Sequence, residues 1–190
     1  ASQIGVEIMK KGGNAFDAMV ATELALAVSY PYAGNISGGG FMVYRLNSGE
    51  TGALDYREKA PMKASKDMYL DANGNVIPNL SVNGALSVGV PGTIAGLFEV
   101  HKKFGKLSIE EIMTPVIGLA ENGVVITSKQ LKQITDNQQD IIKVSGDKTI
   151  YSKTFKVGDT IKYPAMATTL KRIMKNGKDE FYKGKKKKKM

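Results

Sequence analysis

Apolar residues follow a helical period through the first thirty positions and then change rhythm. Ser2 to Lys10 places Ile4 and Ile8, and then Lys11, on one helical face, and Gly12-Gly13 supplies the glycine stop that follows many helices. Asn14 is suited to cap the next helix, with Asp17 in its first turn, where a carboxylate meets the positive end of the helix dipole. That second helix should run to about Ser29, nearly all Ala, Leu, Val and Met. Asp17, Thr22 and Glu23 interrupt the apolar segment from Ala15 to Tyr32, so it reads as a core helix buried around most of its circumference. Pro31 ends it by pushing the preceding residue out of helical geometry.

The period then shortens to two. Phe41 to Leu46 and Thr51 to Tyr56 read as strands, with Asn47-Ser48-Gly49-Glu50 as the turn of a β-hairpin. Arg57 falls at the end of the second strand, where chain leaves a sheet and side chains face open space. Residues 60–84 have loop composition, with a turn at Asp71-Ala72-Asn73-Gly74-Asn75. A helix is predicted from about Thr93 to Phe104. Another opens on the capping box Ser108-Ile109-Glu110-Glu111 and carries Pro115, which predicts a kink or a break. Helical patterns return at Ser128 to Lys143 and Ala165 to Lys175, with an extended stretch near Thr154 to Ile161 between them. No internal repeat or linker divides the pattern, so residues 1–184 are expected to form a single domain of α+β class.

Composition narrows the chemistry. Cysteine is absent from the 190 residues, which excludes a disulfide framework, thiolate metal sites and thiol catalysis. The one histidine, His101, sits at the polar end of a predicted helix and is expected to be a plain surface residue. Neither metal nor cofactor is indicated. Five of the nine net positive charges come from Lys185 to Lys189, which leaves +4 on residues 1–184. That run reads as a solvated or artificial tail at 185–190. Only three arginines occur, dispersed along the chain, which argues against nucleic acid as a partner. No apolar stretch reaches the roughly 18 residues of a membrane span. The sequence starts at Ala1 inside a helical pattern without a signal-peptide profile, and a leader that was removed or not included is compatible with that start.

Two segments invite a chemical reading. Gly38-Gly39-Gly40 would allow close backbone approach, and glycine loops also cradle phosphates. A phosphate loop runs strand, glycine loop, helix, however, and here the order is helix, loop, strand. A tight entry into a strand packed on a neighbouring backbone is the better reading. Arg57 has acidic neighbours in Asp55 and Glu58, so a structural ion pair is one reading. The other is a bidentate clamp on a substrate carboxylate, which guanidinium geometry suits.

Six segments, in order, resemble the γ-glutamyltransferase family. They are Gly12 to Ala18 (GGNAFDA), Pro31 to Phe41 (PYAGNISGGGF), Leu54 to Pro61 (LDYREKAP), Gly89 to Gly96 (GVPGTIAG), Pro115 to Gly123 (PVIGLAENG) and Asp179 to Gly184 (DEFYKG). The resemblance covers residues 1–184. Tyr56 stands where the family commonly has phenylalanine and Ser37 where it usually has glycine, and the lysine run does not match.

The resemblance implies an N-terminal nucleophile hydrolase fold, an αββα sandwich, of which this chain would be the N-terminal part of the large subunit. In such enzymes the precursor cleaves itself, and the new N-terminal threonine of the small subunit is the nucleophile, with its own amino group as base. The family transfers a γ-glutamyl group from glutathione or a related amide to water, amino acids or peptides. The arginine of the motif matched by Leu54 to Pro61 binds the α-carboxylate of that group, a role that falls on Arg57, with Asp55 and Glu58 holding it and Gly38, Gly39 and Gly40 supporting the site. The chain by itself is expected to be inactive, with no catalytic residue of its own. The implied partner is the small subunit of the same precursor, and the implied compartment is the periplasm or the exterior. Two relatives share the motif, one that cleaves and attaches poly-γ-glutamate and one that deacylates glutaryl-cephalosporins. A non-catalytic binding module is the alternative of another class.

Overall fold

The structure, a computed structural model, describes residues 1–184; the predicted tail at 185–190 lies outside them. The elements in order are α1 (Ser2–Lys10), α2 (Ala15–Ser29), β1 (Phe41–Arg45), β2 (Thr51–Asp55), α3 (Thr93–Phe104), α4 (Ile109–Asn122), β3 (Val124–Val125), α5 (Ser128–Ser145), β4 (Thr160–Ile161), α6 (Pro164–Asn176) and α7 (Asp179–Lys183). Among the described residues the strands form two antiparallel pairs, β1 with β2 and β3 with β4. The class is α+β, as the order of elements implied.

The chain divides into two compact units. The first comprises Ala1–Arg57, Pro91–Val125 and the described residues from Thr160. Its core is helical: Ile8 of α1, Val20 and Leu24 of α2, Ile94 and Leu97 of α3, Ile112 and Val116 of α4, and Leu170 and Ile173 of α6 are at most 1% exposed. Helix α2 buries eight of its fifteen residues, which accounts for its lack of a polar face. The hairpin pairs Phe41 with Asp55 and Arg45 with Thr51, and turns Met42 inward. The second unit comprises Glu58–Val90 and Ile126–Asp159. It is mostly loop and turn around α5, and α5 buries none of its residues fully. Asp71 closes the predicted turn by accepting the backbone N–H groups of Asn73 and Asn75, each at 2.9 Å, which holds its carboxyl below the ordinary range.

Two expectations change and a third narrows. Of the kink or break predicted at Pro115 the break is absent, since α4 continues through it as one helix. The extended stretch near Thr154 to Ile161 contracts to β4, which pairs with β3. His101 is half-buried rather than a plain surface residue: its Nε2 donates to the Leu107 carbonyl at 2.8 Å, closing the turn after α3.

The α3–α4 turn is held by one buried carboxylate. Asn14 caps α2 by accepting the N–H groups of Phe16 and Asp17, and its amide donates to the Phe104 carbonyl at 2.7 Å. Asp17 is fully buried and returns the cap by accepting Asn14 N–H at 2.9 Å. The same carboxylate accepts the backbone N–H of Lys106 at 3.0 Å and of Leu107 at 3.3 Å. A local helix start is thereby fastened to a turn ninety residues away. Replacing Asp17 by Ala strands these donors in the interior, and should lower the unfolding free energy by about 3 kcal/mol or more, read as a reduced urea midpoint. A loss below about 1 kcal/mol would mean that water replaces the carboxylate.

Candidate functional site

Three glycines on two segments converge on Tyr56, the residue immediately before Arg57. Pairing of the hairpin continues one step beyond its ladder: Tyr56 N–H donates to the Gly40 carbonyl at 3.0 Å, and Gly40 N–H donates to the Tyr56 carbonyl at 3.3 Å. The Tyr56 side chain is 8% exposed. A Cβ at Gly40 would lie 2.8 Å from its ring, and a Cβ at Gly96 on α3 would overlap the ring outright. The ring therefore occupies the space that two side chains would otherwise need. A Cβ at Gly92 would overlap the Tyr56 carbonyl, so the start of α3 lies directly against the end of β2.

Helix α3 has no side-chain N-cap. The Gly38 carbonyl substitutes, accepting the N–H groups of Gly92 at 2.8 Å and Thr93 at 3.0 Å. The Tyr182 hydroxyl accepts Ala95 N–H at 3.1 Å and itself donates to the Pro91 carbonyl at 2.9 Å. Gly38 N–H is directed to the Asn35 carbonyl and Gly40 N–H to Tyr56. The triple-glycine loop thus presents a carbonyl to a helix start and engages two of its amides internally, which is the reverse of a phosphate cradle.

Arg57 follows this junction and is exposed. Its backbone N–H donates to Asp55 Oδ1 at 2.9 Å, so Asp55 fixes the turn out of β2 through the main chain. The Arg57 guanidinium carbon lies 5.7 Å from the centre of the Phe41 ring, within cation–π range. Asp55 and Glu58 are both exposed. Of the residues singled out in the sequence, Gly38 and Gly40 are thus brought to the junction beside Arg57, and Asp55 to its backbone. Gly39 is half-buried between them. Among the described residues, no cluster of three or more His, Asp and Glu forms a metal site.

Two residues escaped the sequence reading. Glu23 stood as an interruption of an apolar helix and Tyr56 as a mild departure from a motif, yet the Tyr56 hydroxyl donates to Glu23 Oε2 at 3.0 Å. The common signal was that both are polar at positions where the surrounding pattern calls for an apolar side chain. Burial pushes the Glu23 carboxyl above the ordinary glutamate range, and the Tyr56 hydrogen bond offsets part of that rise. Burial, the Glu23 charge and the hydrogen bond between them push the Tyr56 phenol above the tyrosine range, so it remains the donor.

A carboxyl whose pKa is raised on folding contributes stability that is present in acid. That contribution is lost as pH rises from the ordinary glutamate value through the folded one. Glu23→Gln should therefore flatten this decline: the Tm of the variant relative to wild type should rise between about pH 4 and neutrality. A Tm difference that is constant with pH would show that Glu23 does not titrate abnormally.

The family model described as Gamma-glutamyltranspeptidase matches residues 1–190. The glutathione hydrolase proenzyme of Pseudomonas aeruginosa is 49% identical over 186 residues, 96% of this chain and 32% of that protein. The glutathione hydrolase proenzyme of Escherichia coli is 40% identical, over 97% of this chain and 32% of that protein. The crystal structure of Helicobacter pylori gamma-glutamyltranspeptidase superposes with a TM-score of 0.92 at 44% identity, covering 97% of this chain and 54% of that one. The chain thus spans about a third of the length of the curated relatives it matches. Its fold is the α+β fold of these N-terminal nucleophile hydrolases, in the part that this chain supplies. The chain belongs to the gamma-glutamyltranspeptidase family.

Proposed function

We propose that this chain is the N-terminal part of the large subunit of an enzyme that cleaves γ-glutamyl amides such as glutathione, and that Arg57 binds the α-carboxylate of the γ-glutamyl group. The observation that carries the reading is the placement of Arg57. It is an exposed guanidinium on a backbone fixed by Asp55, directly after a buried residue packed against two other segments. Glutathione-type donors are favoured because the relatives at 49% and 40% identity are named glutathione hydrolases.

The chemistry follows from that anchor. A γ-glutamyl group has its reacting carbonyl several bonds from its α-carboxylate, so a fixed cation at one end orients the other toward a nucleophile. In the proposed reaction the hydroxyl of an N-terminal threonine on the small subunit attacks the γ-carbonyl, and its own α-amino group takes the proton. The amine of the donor leaves with a proton, and a γ-glutamyl ester remains on the threonine. Water or an amino acid then attacks that ester, giving free glutamate or a new γ-glutamyl amide. Asp55, Glu58 and Gly38 to Gly40 keep Arg57 in place and contribute no catalytic group.

The small subunit is the proposed partner, cut from the same precursor. Two relatives are named proenzymes, which supports a processed precursor. The outer face of the hairpin also calls for further chain, since Phe41 and Val43 are 64% and 84% exposed on a two-stranded sheet. The periplasm or the cell exterior is the proposed compartment, on family habit.

The test is release of chromophore from a γ-glutamyl anilide by the full-length, self-processed protein, beside a glutaryl anilide. Turnover of the γ-glutamyl compound alone is expected, whereas turnover of the glutaryl compound alone would move the protein to the acylase branch. The 190-residue chain by itself should turn over neither. Arg57→Lys should cost about 2–5 kcal/mol in kcat/KM, the scale for losing one partner of a desolvated charge pair. An unchanged kcat/KM would remove Arg57 from the site.

A further inference from the structure

We infer that Glu23 and Tyr56 act together as a positioning pair for Arg57, so that a hydrogen bond between helix α2 and the end of β2 sets the affinity for the donor substrate. The inference rests on the reading of Arg57 as the carboxylate-binding residue.

The path from pair to arginine is short and covalent at its last step. Glu23 belongs to α2, the most heavily buried helix of the first unit. Its Oε2 accepts the Tyr56 hydroxyl at 3.0 Å. The Tyr56 ring lies between Gly40 and Gly96, and its backbone is bonded to Gly40 on both sides. Arg57 is the next residue in the chain. Packing against the two glycines limits how far the ring moves sideways, whereas the hydroxyl bond fixes its depth. A ring that slides along this slot carries the Arg57 backbone with it. An anchor displaced by a fraction of an ångström weakens binding of the group it holds.

The pair also explains itself chemically. The groove that Glu23 lines carries Val6, Met9, Met19 and Leu26 beside the hydroxyls of Ser2, Thr22 and Tyr30, and the Tyr56 hydroxyl donates to the Glu23 carboxylate. Removing the tyrosine hydroxyl alone leaves Glu23 short of its donor, and removing the carboxylate alone leaves a buried hydroxyl short of its acceptor. Removing both restores an apolar contact, which costs far less than either single loss.

The experiment uses the full-length, self-processed enzyme and the γ-glutamyl anilide. Tyr56→Phe and Glu23→Leu should each raise KM by about tenfold and leave kcat within about twofold, the signature of lost ground-state binding. Glu23→Gln keeps an acceptor and should stay within about threefold of wild type. The Tyr56→Phe/Glu23→Leu double variant should recover most of the affinity, and it serves as the folded reference if a single variant is unstable. In an Arg57→Lys background the same changes should have no further effect on KM, because the pair acts through the arginine. Full additivity with Arg57→Lys would overturn the inference, as would a fall in Tm with no change in KM. If Arg57→Lys itself leaves KM and kcat unchanged, the site reading fails and the positioning role falls with it, an outcome distinct from additivity.

Discussion

Tyr56 occupies a slot that exists only because Gly40 and Gly96 lack side chains, and the geometry around Arg57 follows from that fit. The ring brings the glycine loop, the end of β2 and the first turn of α3 within van der Waals contact. At such separations main-chain groups satisfy one another. Gly38 caps α3 with its carbonyl, and Gly40 extends the hairpin by one more bonded pair. A larger residue at either glycine would push the strand from the helix and expose unsatisfied amides at the helix start.

The surrounding helices keep that slot from relaxing. Helix α2 supplies Glu23 to the ring on one side, and through Asp17 it binds the turn that follows α3. Helix α3 is thus held at both ends, by the Gly38 carbonyl and Tyr182 at its start and by the Asn14 amide and the Asp17 carboxylate at its end. Packing alone tolerates small sliding motions, whereas directional bonds to a buried carboxylate do not. Under the proposed function, this rigidity is what lets a surface arginine act as a fixed reference point for a flexible substrate.

The local elements of this fold were legible because each carries its own period and punctuation. The Asn14 cap, the Ser108 box and the Asn47–Glu50 turn are set by neighbours within four residues, and the structure forms all three. Long-range partners were not legible. Asp17 was read as a first-turn acid, and its bonds to Lys106 and Leu107 depend on how two helices pack. His101 was misread for the same reason, since its acceptor lies beyond a turn that the helical pattern does not describe. Pro115 argued for a kink or a break, and there is no break: Ile112, Met113, Val116 and Ile117 are all buried, and that packing holds α4 together across the missing amide. At the candidate site, Arg57 and the triple glycine stood out by residue type. Glu23 and Tyr56 did not, because each has an ordinary explanation when taken singly.

The most direct measurement is a crystal structure of the self-processed, full-length protein with L-glutamate bound. If Arg57 is the anchor, its guanidinium will meet the α-carboxylate through paired N–H···O contacts of about 2.7–2.9 Å, with Tyr56 still seated between Gly40 and Gly96. A carboxylate held by other groups, with Arg57 resting on Phe41 and turned away from the ligand, would contradict the central claim.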